Sequence, residues 1–96
     1  MRRCLLRFVW SPTKAVANER KHGVGFPEAT TVFDDDLSIT IGDPDHSKGE
    51  ERFLLLGMSS RHRLLVVAHV EQNETIRIIS ARRANNRERR DYEEGN

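Results

Sequence analysis

Apolar and polar positions change their spacing several times along this chain, and each change marks an element. Cys4–Val9 is a short apolar block of strand length. Ser11 followed by Pro12 is a helix-start signal, and Gly23 is a helix-stop signal, so a helix is expected over Pro12–His22. Ala15, Asn18 and His22 fall at i, i+3, i+7, and Lys14, Asn18 and Lys21 at i, i+4, i+7, which makes one face of that helix polar. Such a face suggests that it works or meets a partner. Pro27 opens a second, shorter helix with Phe26, Ala29 and Phe33 as its buried stripe, ended by Asp34, Asp35 and Asp36.

Beyond that point the period becomes two. Leu37–Ile41 alternates like a strand, and Asp43–Glu51 is a polar loop. Arg52–Ser59 and Leu64–Val70 read as paired strands around a turn at Ser60–His62. Glu71–Glu74 forms a second turn, and Thr75–Ala81 forms the last strand. The tail, Asn85–Glu94, carries helix formers with asparagines placed to cap them. The order β-α-α-β-β-β-β-α predicts an α+β fold, a curved antiparallel sheet with two N-terminal helices and a C-terminal helix on one face. Ninety-six residues suit a single domain.

Composition narrows the function classes. The longest apolar run, Leu64–Ala68, is far short of the roughly 20 residues of a membrane span. Arg7 interrupts the apolar part of the basic N-terminus, so no leader is expected and the cytoplasm is the expected location. Cys4 is the lone cysteine, so no internal disulfide forms. The net charge is only +1, but acidic residues concentrate in 34–51 and basic residues on either side, which leaves room for a basic face after folding. Thirteen of the sixteen basic residues are arginine, whose planar fork suits phosphate better than a point charge does.

The last strand carries the most chemistry. Strict alternation would put Ile76, Ile78, Ser80 and Arg82 on one face and Arg77, Ile79, Ala81 and Arg83 on the other. An arginine inside a strand needs either a carboxylate, for which Glu51 is a candidate, or a groove open to an anion. His69 reads as a hydrogen-bonded core histidine, and His62 as an exposed turn residue. The Asp43-Pro44-Asp45-His46 loop is either a solvated turn or three potential metal ligands. Lys21-His22-Gly23 is either a capped helix end or a cation and an imidazole held at the rim of the fold for phosphate and proton chemistry. With no Gly-rich phosphate loop, serine motif or zinc signature, no cofactor or metal is expected. The scatter of Arg, Lys, His and Glu suits metal-free RNA cleavage, or RNA binding alone.

In order, the chain reads Trp10, Lys14, Asn18, Lys21-His22-Gly23-Val24, Phe26, Phe33-Asp34-Asp35, Glu50-Glu51-Arg52, Gly57, Ile76-Arg77-Ile78-Ile79-Ser80-Ala81-Arg82-Arg83-Ala84, Arg87-Glu88-Arg89 and Tyr92. Over nearly its whole length this resembles the BrnT toxins of bacterial type II toxin–antitoxin systems. One departure is Ser11, where that family usually has an acidic cap. The resemblance implies a RelE/ParE-like fold and a ribonuclease that arrests translation and growth. It also implies a BrnA-like ribbon-helix-helix antitoxin that covers the toxin and binds operator DNA. On this reading His22, Glu51, Arg77 and Arg82 are the catalytic residues: His22 as the proton-transfer group, Glu51 as its counterpart or as orienter of Arg77. Lys14, Lys21, Arg52 and Arg89 contact RNA. The alternatives are a non-catalytic module that binds an antitoxin or RNA, and a ParE-like gyrase poison. The apolar strands also offer an edge or groove for homodimerisation until a partner covers it.

Overall fold

A computed structural model describes residues 7–42 and 51–95. The observed order is β1 (Arg7–Val9), α1 (Pro12–His22), α2 (Phe26–Thr31), a 3₁₀ turn (Val32–Asp34), β2 (Ile39–Gly42), β3 (Arg52–Met58), β4 (Leu64–Gln72), β5 (Thr75–Arg83) and α3 (Asn86–Glu94). The α+β class and the order of elements match the sequence expectation. The first three residues of the expected strand Cys4–Val9, and the Asp43–His46 loop, lie outside the described residues.

The five strands form one sheet in the order β1-β5-β4-β3-β2. Neighbours among β2 to β5 pair antiparallel, but β1 joins β5 in parallel, with Phe8 level with Ile76 and Val9 with Arg77. The sheet is therefore mixed. The turns joining its hairpins use left-handed backbone at His62 and Asn73, where φ is 62° and 58°.

Local chemistry accounts for α1. The Ser11 hydroxyl accepts from the Lys14 N–H, Pro12 fits the first turn, and Gly23 at φ 72° closes the helix by donating its N–H to Glu19 O. Its polar stripe has a structural use. The Asn18 carboxamide is buried, donating from Nδ2 to Val24 O and to Ala81 O (both 2.9 Å) and accepting the Ala81 N–H at Oδ1 (3.1 Å). Because β1 ends beside Arg77, the rest of β5 has a free edge, and Asn18 stands in for a strand there.

The core lies between the sheet and α1/α2. It contains Val24, Phe26, Ala29, Val32, Phe33, Leu55, Leu65, Val67, Ile76, Ile78 and Ala81, with Phe8 and Trp10 packed against it. Edge-to-face ring pairs join Phe8 to Phe33 and Trp10 to Phe26. Gly57 lets the 3₁₀ turn approach β3, since a Cβ there would meet Val32 and Ser38 side chains at 2.9 Å. His69 is fully buried in this core, edge-on to Phe33, with Nε2 2.9 Å from Glu71 Oε2.

α3 departs from the expected placement on the same face as α1 and α2. Its Glu88 and Asp91 line a groove with Ile39, Ile41, Leu54, Leu56 and Val66, which all point away from the core face. Arg-rich α3 buries no residue of its own, and polar contacts from its first turn and Tyr92 tie it to the sheet.

Removing Asn18 strands three buried backbone groups, so Asn18→Ala is expected to lower stability by about 2–4 kcal/mol. Urea unfolding measures this; a midpoint equal to wild type would contradict the edge-capping role.

Candidate active site

The second face of the sheet is built by register. From Leu65↔Arg83 to Ala68↔Ser80 the β4–β5 pairs step evenly, but the next pair is His69↔Ile78. Ile79 is thus an extra residue, a β-bulge. Its consequence differs from strict alternation: Ala81 joins Ile76 and Ile78 in the core, while Arg82 moves to the face that carries Arg77. The two arginines that alternation would separate now share a surface.

Three rungs cross that surface. Val9, Arg77, Val70 and Arg52 form the first; Ser80, Ala68, Leu54 and Ile41 the second; Arg82, Val66, Leu56 and Ile39 the third. With strands about 4.8 Å apart, Arg77 and Arg52 root roughly 10 Å from one another across Val70. Arg82 lies two rungs along, roughly 13 Å from Arg77 at the usual strand rise. Three arginines therefore root around a small aliphatic floor.

Arg82 is held tightly. Its Nη1 and Nη2 donate to Glu88 Oε1 and Oε2 at 2.9 and 2.8 Å, and Nη1 also reaches Arg83 O at 3.3 Å. Glu88 is at the same time the third residue of α3's capping box: its Oε1 accepts the Asn85 N–H, and Asn85 Oδ1 accepts the Glu88 N–H. The Arg82 hydrogen bond first, against burial, holds the Glu88 carboxyl below its usual range and raises Arg82. At its other end α3 is tied by the Tyr92 hydroxyl, which donates to Asp35 Oδ2 at 2.7 Å. Burial pushes Asp35 up, but donors from Met58 N, Tyr92 and Leu37 N outweigh it and leave the carboxyl low. Burial and the Asp35 contact push the Tyr92 phenol up to about 12.

The Lys21-His22-Gly23 corner is anchored by a different ion pair. Glu28, a buried residue of α2, receives Arg63 through Nε (3.0 Å) and Nη2 and accepts from Ser59 Oγ (2.7 Å), while Arg63 Nη2 also donates to Gly23 O (3.2 Å). The Arg63 hydrogen bond is the main reason that the Glu28 carboxyl sits low, against the opposing effect of burial.

The expected site residues fall into separate groups. Arg52, Arg77 and Arg82 share the second face. Glu51 precedes Arg52 and so stands at the Arg77 end. His22, one helical turn past Asn18, stands at the opposite end, level with the close of β5. Allowing two strands across and four residues along, His22 and Glu51 are roughly 15 Å or more apart and do not form a pair. Lys14 and Lys21 are exposed on α1, and Arg89 is exposed on α3. Glu88 is not among the expected site residues, although the Asn85-x-x-Glu88 spacing is a capping-box signature. Among the described residues no three His, Cys, Asp or Glu side chains converge as a metal site, and no helix is long and apolar enough to cross a membrane.

A mixed sheet with α1 and α2 packed on one face, and with arginines gathered beside α3 on the other, defines a small α+β protein with an arginine-bearing surface. The chain belongs to the BrnT family, described as the ribonuclease toxin BrnT of type II toxin–antitoxin systems, whose family model matches residues 10–88. Its fold is similar to the 1.1 Å crystal structure of the Brucella abortus ribonuclease toxin BrnT. The TM-score is 0.64 and the identity 18%, and the match covers 83% of this chain and 97% of that one. No curated protein matches the chain.

The low Glu28 carboxyl has a signed consequence. The unfolded chain takes up the proton near pH 4.5, above the folded value, so this contribution is complete above that pH and is lost as pH falls through the folded range. Glu28→Gln should cost about 2 kcal/mol at pH 7, and the deficit should shrink toward pH 3. Urea midpoints of both proteins across that range measure it; a pH-independent deficit would contradict the account.

Proposed function

We propose that this protein is a metal-independent endoribonuclease that works on the arginine-bearing face of its sheet. The observation that carries this reading is the bulge-driven gathering of Arg77 and Arg82, with Arg52, around an aliphatic floor. Cleavage proceeds by attack of a ribose 2′ oxygen on the adjacent phosphorus. A base takes the 2′ proton, the P–O5′ bond breaks, and an acid protonates the leaving 5′ oxygen, giving a 2′,3′-cyclic phosphate and a 5′ hydroxyl. Guanidinium groups stabilise the charge that builds on the non-bridging oxygens. His22 serves as the proton-transfer group at the Arg82 end, and Glu51 orients Arg77 at the other. Lys14, Lys21 and Arg89 extend the phosphate contacts beyond the sheet.

The distribution of aromatic residues bears on specificity. Phe8, Trp10, Phe26, Phe33 and Phe53 group with the core or the buried His69, and Tyr92 bonds Asp35. Bases laid on the arginine face meet aliphatic groups rather than stacking platforms, so recognition runs through phosphates and the cleavage is sequence-relaxed.

In the cell this activity acts in the cytoplasm and halts translation and growth until a BrnA-like ribbon-helix-helix antitoxin covers the same face. The groove of Ile39, Ile41, Leu54, Leu56 and Val66, with Ile41 55% exposed, is apolar surface that such cover would bury.

Purified protein incubated with end-labelled single-stranded RNA in EDTA should leave 2′,3′-cyclic ends, and Arg77→Ala should lose about 100-fold or more in rate while remaining folded. Intact RNA with wild type, or full activity in Arg77→Ala, would overturn this reading.

A further inference from the structure

Arg63 and Arg82 are each gripped by a carboxylate through two hydrogen bonds, and they are gripped on different edges. Arg63 commits its Nε and Nη2 to Glu28, and Nη2 also serves Gly23 O, so its side edge is fully engaged in holding α1 to α2. Arg82 is held end-on. Nη1 directs both hydrogens to acceptors, Glu88 Oε1 and Arg83 O, and Nη2 directs one to Glu88 Oε2. The Nε–H and the second Nη2–H of Arg82 lie on one edge of the guanidinium and meet no acceptor among the described residues. That edge is the bidentate fork that phosphate oxygens fit. The Arg82 side chain is 40% exposed and that of Glu88 25%, so the fork is accessible while its anchor is partly shielded.

We infer that Glu88 is a positioning residue for Arg82, holding the guanidinium end-on so that its Nε–Nη2 edge is presented to a phosphate of single-stranded RNA. The inference rests on the ribonuclease reading above and adds to it a residue that touches no substrate. It also gives α3 a role: the Asn85 backbone N–H holds the Glu88 carboxylate at the helix start, and that carboxylate holds Arg82 on the third rung of the sheet. A flexible arginine loses side-chain freedom when it binds an anion, and pre-ordering by Glu88 removes that cost from the RNA-binding step.

Two substitutions separate the capping role from the positioning role. Glu88→Gln keeps a side-chain oxygen for the Asn85 N–H, as glutamine does in capping boxes, but turns an amide NH₂ toward Arg82 and breaks the two-oxygen grip. Asn85→Ala removes the cap and leaves the carboxylate. The probe is a fluorescent single-stranded RNA with 2′-O-methyl sugars for binding, and the unmodified strand for kinetics.

Glu88→Gln should weaken binding of the 2′-O-methyl strand about tenfold and raise KM on the unmodified strand. Its log-affinity against log-salt slope should become shallower, by up to about 0.7, the loss of one phosphate contact. Asn85→Ala should lower Tm with KM unchanged. Arg82→Ala combined with Glu88→Gln should be no worse than Arg82→Ala alone, because Glu88 acts only through Arg82. Tighter RNA binding by Glu88→Gln would show that the carboxylate merely masks Arg82 and would overturn the inference. Additive losses in the double variant, or an unchanged KM in Glu88→Gln, would also overturn it. A wild type that neither binds nor cuts RNA overturns the ribonuclease reading itself, before any variant is compared.

Discussion

The clasp of the Asn18 carboxamide on the Ala81 backbone, next to the Ile79 bulge, is the contact on which the rest of this structure turns. A bulge adds a residue to one strand and loosens its ladder, and it is tolerated where another group satisfies the displaced backbone. Here β1 has ended, the edge of β5 is open, and a side chain from α1 supplies a donor and an acceptor to the backbone C=O and N–H of one residue, Ala81. The same carboxamide holds Val24 O, so the strand, the helix and the connection to α2 are set together. Without the bulge Ala81 would leave the core and Arg82 would leave the face that carries Arg77.

From that constraint follows the division of labour between the two faces. One face collects the core, the ring pairs and a fully buried histidine; the other collects arginines around valine, alanine and leucine. Aliphatic floors and guanidinium groups fit a ligand whose charge is regular and whose bases need not be read. The charged residues also sort by accessibility. Glu28 with Arg63 is a shielded structural pair, whereas Glu88 with Arg82 is partly open and sits where the sheet meets α3.

Much of this was legible in the sequence, and the parts that were not have identifiable causes. The ends of α1 could be read because Ser11, Pro12 and Gly23 act locally, through a cap, a fixed φ and a left-handed turn. The strands could be read from alternation. Alternation, however, cannot show where a strand takes an extra residue, so Arg77 and Arg82 were assigned to opposite faces. The polar stripe of α1 suggested a working surface, but Asn18 serves an edge that exists only after β1 and β5 pair. The parallel docking of β1 and the placement of α3 on the second face are equally non-local. His22 and Glu51 were natural partners by chemistry, yet the register of β3, β4 and β5 holds them at opposite ends of the sheet.

The second face of the sheet is the proposed seat of RNA. Backbone amide shift mapping by NMR with an uncleavable 2′-O-methyl RNA tests it most directly. Perturbations are expected at Arg52, Leu54, Ala68, Val70, Arg77 and Arg82, along the three rungs. Perturbations centred on Thr30, Ser38, Thr40 and Glu71, on the helix-covered side, with those six amides unmoved, would contradict it.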